Sequence, residues 1–92
     1  MSACLEGKTA IVTGAAGGFG VVLVRALLAH RSNVMALDIN RDGLYVLQDS
    51  LSNEAKRRFS VTVADISDYA DCETAVGNTL ARLGGLHILI TH

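Results

Sequence analysis

Four glycines within seven residues, Gly14, Gly17, Gly18 and Gly20, separate the β-branched run Thr9-Ala10-Ile11-Val12-Thr13 from a long apolar stretch. A run so short and so rich in Ile, Val and Thr reads as a strand, and the glycines end it. Beyond them Phe19, Val22, Leu23, Ala26, Leu27 and Ala29 recur at helical spacing. Val21, Val24 and Leu28 fill the remaining sides, which predicts a helix buried nearly all round. Strand, glycine turn and helix together open a βαβ unit, and few folds begin that way.

The alternation continues along the chain. Val34 to Asp38 has the composition of a second strand. Asn40 can cap a second helix that runs to Lys56-Arg57-Arg58, with Leu44, Leu47, Leu51 and Ala55 as its apolar stripe. Phe59 to Ala64 reads as a third strand ended by Asp65. Ser67 or Asp68 can cap a third helix with Cys72, Ala75, Val76, Leu80 and Leu83 on one face, and Gly84-Gly85 stops it. Leu86 to Ile90 is a fourth strand. Strands joined by helices of this length must run parallel, and right-handed crossovers restrict how they can be ordered. The expected architecture is therefore an α/β, Rossmann-type doubly wound parallel sheet, incomplete, with four strands in the order 3-2-1-4 and three helices. Ligands bind such sheets in the crevice above the carboxyl ends of the first and fourth strands, where the strand order reverses.

Composition removes several function classes. Eight Lys and Arg against nine Asp and Glu leave no basic stripe for a nucleic-acid backbone, and 4% aromatic content gives little for bases to stack on. The longest uncharged stretch, Thr9 to Val24, holds 16 residues, below the roughly 20 of a spanning helix. Met1 to Lys8 carries Glu6 and lacks the form of a signal peptide, so no membrane partner is expected and the cytoplasm, or an organelle matrix, is the expected compartment. Cys4 and Cys72 form no CxxC pair, and His30, His87 and His92 are scattered. Neither a disulfide scaffold nor a metal site is expected.

The glycine segment has chemistry available to it. Gly14 can take the positive φ of a sharp exit from the strand, and the small residues after it let a diphosphate approach backbone N–H groups at a helix N-terminus. Gly20 lets helix and sheet pack closely. No Lys follows in the loop, so it is not a Walker A cradle for nucleoside triphosphates. Asp38 ends the second strand 18 residues beyond Gly20, the context of a dinucleotide fingerprint. Its carboxylate can accept from ribose hydroxyls and would repel a 2′-phosphate by roughly 4 kcal/mol per unit-charge pair at 4 Å and an effective dielectric near 20. NAD is therefore expected over NADP, a preference that Arg41 would soften by swinging toward the ribose. The alternative reading of the same glycines is a flexible turn with no ligand.

The pattern TGxxxGxG at Thr13, Gly14, Gly18 and Gly20, Asp38 after the second strand, and Asp65-Ile66 after the third resembles the short-chain dehydrogenase/reductase family. Leu5 to Gly14 is also similar to the start of many members. The resemblance implies that residues 1–92 are the N-terminal part of a single NAD(P)-binding Rossmann domain. It places Gly14, Gly17, Gly18, Phe19 and Gly20 around the pyrophosphate, Asp38 on the adenosine ribose, and Asp65 and Ile66 beside the adenine ring. A capping role for Asp65 and simple packing for Ile66 are the alternatives.

Other family features are missing. Ile90 is followed by Thr91 and His92 where the family has NNAG. The catalytic YxxxK is absent too, since Tyr45 is followed four residues later by Asp49 and Tyr69 by Glu73. No catalytic residue is assigned. The expectation is a truncated oxidoreductase that holds the ADP part of NAD, its full-length relatives moving hydride between NAD(H) and an alcohol or ketone. A fourth strand with one unpaired edge then predicts self-association or a partner that covers it. The rival readings are a non-catalytic interaction or regulatory module pairing with a longer relative, and a site for S-adenosylmethionine.

Overall fold

The β-branched runs become neighbouring parallel strands. In the computed structural model, which describes residues 5–91, β1 (Thr9–Thr13), β2 (Asn33–Asp38), β3 (Phe59–Val63) and β4 (Ile88–Ile90) form one sheet in the order β3-β2-β1-β4. Cys4 and His92 lie outside the described residues. Every residue of the central strand β1 is buried, as expected for a strand with a neighbour on each side and helices above and below. Ile11 stands opposite Met35 and Leu89, and Val12 opposite Ala36 and Ile90.

Side chains alternate across the sheet and build two cores. On one face Val12, Val34, Ala36 and Phe59 meet Val24 and Leu28 of α1 (Gly18–Ala29) and Leu44 and Leu47 of α2 (Arg41–Asp49). Ala55 of α3 (Asn53–Lys56) packs against the same cluster. On the other face Ile11, Met35 and Leu37 meet Ala64 and Ala75, the latter on α4 (Tyr69–Leu83). This is the doubly wound arrangement expected from the sequence.

Four expectations need correction. Among the described residues four helices are present where three were expected, because residues 40–56 do not form one helix. Ser50 turns its hydroxyl back onto the Leu47 carbonyl at 2.6 Å, and Ser52 caps a new helix by accepting from the Ala55 N–H at 3.1 Å. Serine side chains compete with helical hydrogen bonds in this way. The stripe Leu44, Leu47, Leu51 and Ala55 still faces the core across the break. Secondly, α1 is not buried all round: Gly20, Val24 and Leu28 face inward, while Phe19 and Val22 are more than half exposed. Thirdly, α4 packs through Ala75 and Thr79, so Val76 and Leu80 of the expected stripe lie on the surface.

The fourth strand begins at Ile88, two residues later than expected, because a side chain replaces the ladder at its start. The Thr9 N–H donates to His87 Nδ1 at 3.0 Å, and the His87 N–H donates back to the Thr9 carbonyl at 2.9 Å. His87, read from sequence as an ordinary histidine, thus ties β4 to the foot of β1. Among the described residues no helix is long and apolar enough to cross a membrane.

Candidate functional site

At the carboxyl end of β1 the chain turns on Gly14, whose φ of 64° lies in the left-handed region that favours glycine. The next amides are tied down in turn. The Ala15 N–H donates to the Leu37 carbonyl at 3.0 Å, the Ala16 N–H to Asp38 Oδ2 at 3.0 Å, and the Gly17 N–H to the Gly14 carbonyl at 3.1 Å. A side chain at Gly20 would run into the Gly14 carbonyl oxygen and come 2.8 Å from Ala15 Cα. Gly14 and Gly20 are therefore required by the fold itself. Gly18 is different, since a Cβ there would meet nothing within 4 Å.

Helix α1 starts from Gly17, which supplies no side-chain cap, and its first turn holds no acidic residue. The other helices all have both. Asn40 caps α2 by accepting from the Gly43 N–H, Ser52 caps α3 and Asp68 caps α4, with Asp42, Glu54 and Asp71 in the respective first turns. The partial positive charge at a helix N-terminus is equivalent to about half a unit. At α1 no side chain of its own offsets that charge.

Asp38, at the end of β2, reaches across to the glycine turn. Its Oδ1 accepts from the Asn40 N–H at 2.9 Å while Oδ2 holds Ala16. Asp38 lines a cavity of about 210 Å³ together with Gly14, Leu37, Ile39, Ala64, Asp65 and Ile66. Gly14, Asp38, Asp65 and Ile66, singled out from sequence on three separate loops, thus surround one space. Gly17, Gly18, Phe19 and Gly20 form the entry to α1 beside Gly14 and do not line that cavity. Arg41 stands over the Tyr45 ring with its guanidinium carbon 5.8 Å from the centroid, engaged along α2.

Asp65 does not cap α4, because Asp68 does so by accepting from the Ala70 and Asp71 N–H groups. Its Oδ1 instead accepts from the Ser67 hydroxyl at 2.7 Å and the Ser67 N–H at 2.9 Å. The hydroxyl first, and then the amide, hold the Asp65 carboxyl below the usual carboxylate range. Ile66 is half exposed, which argues against a purely packing role. It also borders a second cavity, of about 260 Å³, whose walls include Ile11, Cys72, Ala75 and Leu89. Sequence reasoning missed Ile39. Its signal was an apolar residue placed just after a strand-ending acid, and it is 72% exposed on the cavity wall.

A dehydrogenase-type nucleotide fold is what this sheet order and glycine turn define. Residues 8–92 match the family model for short chain dehydrogenase, and the chain belongs to that family. Oxidoreductase UcpA of Salmonella typhimurium is 35% identical over 88 residues, which cover 96% of this chain and 33% of that protein. Among solved structures, a 3-ketoacyl-(acyl-carrier-protein) reductase from Brucella melitensis complexed with NADH superposes with a TM-score of 0.83 at 32% identity. The match covers 92% of this chain and 33% of that one. The C-domain of a bacterial malonyl-CoA reductase with NADP superposes with a TM-score of 0.84 at 25% identity, covering 96% of this chain and 15% of the other. The chain spans about a third of the length of the curated relatives it matches.

Proposed function

We propose that this chain binds the ADP portion of NAD over the carboxyl ends of β1 and β2, as the cofactor-holding part of an oxidoreductase acting on an alcohol or ketone. The observation that carries the reading is the meeting of two features at Gly14. One is an N-terminus of α1 without a side-chain cap or an acid in its first turn, and the other is Asp38, which lines the adjoining cavity. The backbone N–H groups at the start of α1 would face the diphosphate, with Gly18 leaving room for its approach. Asp38 would accept from the ribose hydroxyls. Ile39 and Ile66 would offer apolar surface to the adenine, and Asp65 would face its edge.

The bound cofactor supplies the hydride chemistry. The chain's own residues bind and orient it, and no YxxxK pair is present to move the accompanying proton. NAD is preferred because Asp38 repels a 2′-phosphate and Arg41 is held along α2 by Tyr45. A solvent-facing cytoplasmic or matrix setting suits such a role. Isothermal titration of folded chain should give heat with NAD and ADP-ribose, and at least about tenfold weaker binding of NADP. Silence with all three ligands overturns the proposal.

One observation favours a second reading. Leu89 in β4 is 62% exposed and Val76 and Leu80 of α4 lie open on the same face, an apolar surface that suits self-association or pairing with a longer relative. Sedimentation across a concentration series tests this. A partnership that survives Asp38→Ala would make it independent of nucleotide.

A further inference from the structure

Resting on the dinucleotide reading, we infer that Asp38 is a positioning residue as well as a ribose acceptor: its carboxylate clips the phosphate-side loop to the turn between β2 and α2. Ala16 and Asn40 lie on different connections, and each donates its backbone N–H to a different oxygen of this one group, at 3.0 and 2.9 Å. Two further features meet at the same point. The Asn40 side chain accepts from the Gly43 N–H at 3.0 Å and so starts α2. Gly43 in turn lacks the Cβ that would come 2.8 Å from both Ala16 Cβ and Asn40 Nδ2. Ala16 is therefore seated against the first turn of α2 and held there by Asp38. The residue before it, Ala15, is already tied to the Leu37 carbonyl.

A carboxylate has about four acceptor positions, so two spent on backbone amides leave two for ribose hydroxyls. The double duty has a consequence. Asparagine keeps one acceptor oxygen and turns an NH₂ toward the other amide, so Asp38→Asn must give up either the Ala16 tie or the Asn40 tie. Removing the acid to admit a 2′-phosphate would then also loosen the loop that presents its amides to the diphosphate. Affinity falls for ligands of both kinds.

The experiment compares ADP with 2′,3′-dideoxy-ADP on the wild-type chain, Asp38→Asn and Gly43→Ala. It adds amide hydrogen exchange at Ala16 and Asn40 without ligand. If Asp38 acted only through the ribose, Asp38→Asn would leave dideoxy-ADP binding unchanged or tighter, since a negative charge near the diphosphate has gone. The clip predicts instead that dideoxy-ADP binds about five- to tenfold more weakly, the scale of losing one charge-assisted hydrogen bond that orders the site. It also predicts about tenfold faster exchange of at least one of the two amides. Gly43→Ala, which leaves the carboxylate in place and favours the helix, should weaken ADP and dideoxy-ADP equally by pushing Ala16 from its seat. Equal exchange rates in wild type and Asp38→Asn overturn the clip whatever the binding results. Faster exchange with undiminished dideoxy-ADP affinity overturns the positioning role. A wild-type chain that binds no ADP at all sinks the dinucleotide reading and the positioning role with it, while the exchange data still judge the clip.

Discussion

Helices α1 and α4 begin at the same end of the sheet, each following a strand through a short loop, and their first turns are opposites. At α4 the chain satisfies itself. Asp68 accepts from two amides, Asp71 accepts from the Asp65 N–H at 2.8 Å, and Asp65 accepts twice from Ser67. At α1 the cap is a glycine, the first turn is Gly18-Phe19-Gly20, and no acid is present. A helix capped by glycine in place of Ser, Asp or Asn forgoes only a few tenths of a kcal/mol. Here the sheet contacts of Val24 and Leu28 hold α1 in place without a side-chain cap. One βα junction closes its helix with a carboxylate cap, and the other starts its helix from a glycine.

The largest effect should follow from Gly20→Ala. Its Cβ would meet backbone on β1's exit turn, not a movable side chain, so either α1 or the turn must shift. A stability loss of about 2 kcal/mol or more in denaturant melts is expected, with loss of NAD binding. Gly18→Ala, whose Cβ meets nothing, should leave the melt within about 1 kcal/mol of wild type while weakening NAD. Equal melts for the two variants would mean the turn is looser than its geometry.

Next is the exchange of ends. Gly17 has φ −79° and ψ 165°, an extended backbone that Asp adopts readily, so Gly17→Asp would give α1 the kind of cap that α4 already has. Stability should rise by a few tenths of a kcal/mol, and calorimetric binding of NAD should be abolished by a carboxylate seated where the diphosphate belongs. The converse, Asp68→Ala, should lower the melt by about 1 kcal/mol and leave NAD affinity unchanged. If Gly17→Asp still binds NAD normally, the α1 terminus is not an anion site.

A smaller effect separates Asp65 from the cap. Because the Ser67 hydroxyl is the main cause of its lowered pKa, Ser67→Ala should move the Asp65 carboxyl back up toward the ordinary range in an NMR titration. A folded-state pKa below the unfolded one favours folding above the unfolded carboxylate range, and that contribution disappears as pH falls through the folded value. Ser67→Ala should therefore make the acid limb of the stability profile shallower. Both carboxylate and hydroxyl are exposed, so the titration, not the melt, is the sensitive measurement.

Local chemistry explains which parts could be read from sequence. Gly14, Gly20 and Asp38 stand out because a turn, a close approach and a strand-end acid each restrict residue type, and alternating strands and helices lead to the 3-2-1-4 order. The break at Ser50 to Ser52 was hidden because Leu44, Leu47, Leu51 and Ala55 keep one face across it. The exposed outer sides of α1 and α4 were hidden because periodicity reports apolar residues and not what covers them. His87 was illegible for a different reason: its partner, the Thr9 N–H, lies 78 residues away. The same holds for the second task of Asp38, since nothing local to residue 38 announces Ala16.

The smallest effect concerns the proposed preference for NAD over NADP. Arg41 lies three residues beyond Asp38, and its guanidinium stacks over Tyr45. A cation–π contact at an exposed site is worth about 0.5–1 kcal/mol, which corresponds to a two- to fivefold bias in where the arginine points. Tyr45→Ala should release it and improve NADP affinity by up to about that factor, with NAD affinity unchanged because Asp38 and its ties are untouched. Adding Arg41→Ala to Tyr45→Ala should cancel the gain. An NADP gain that persists in the double variant would show that the ring itself, and not the arginine it holds, was obstructing the phosphate.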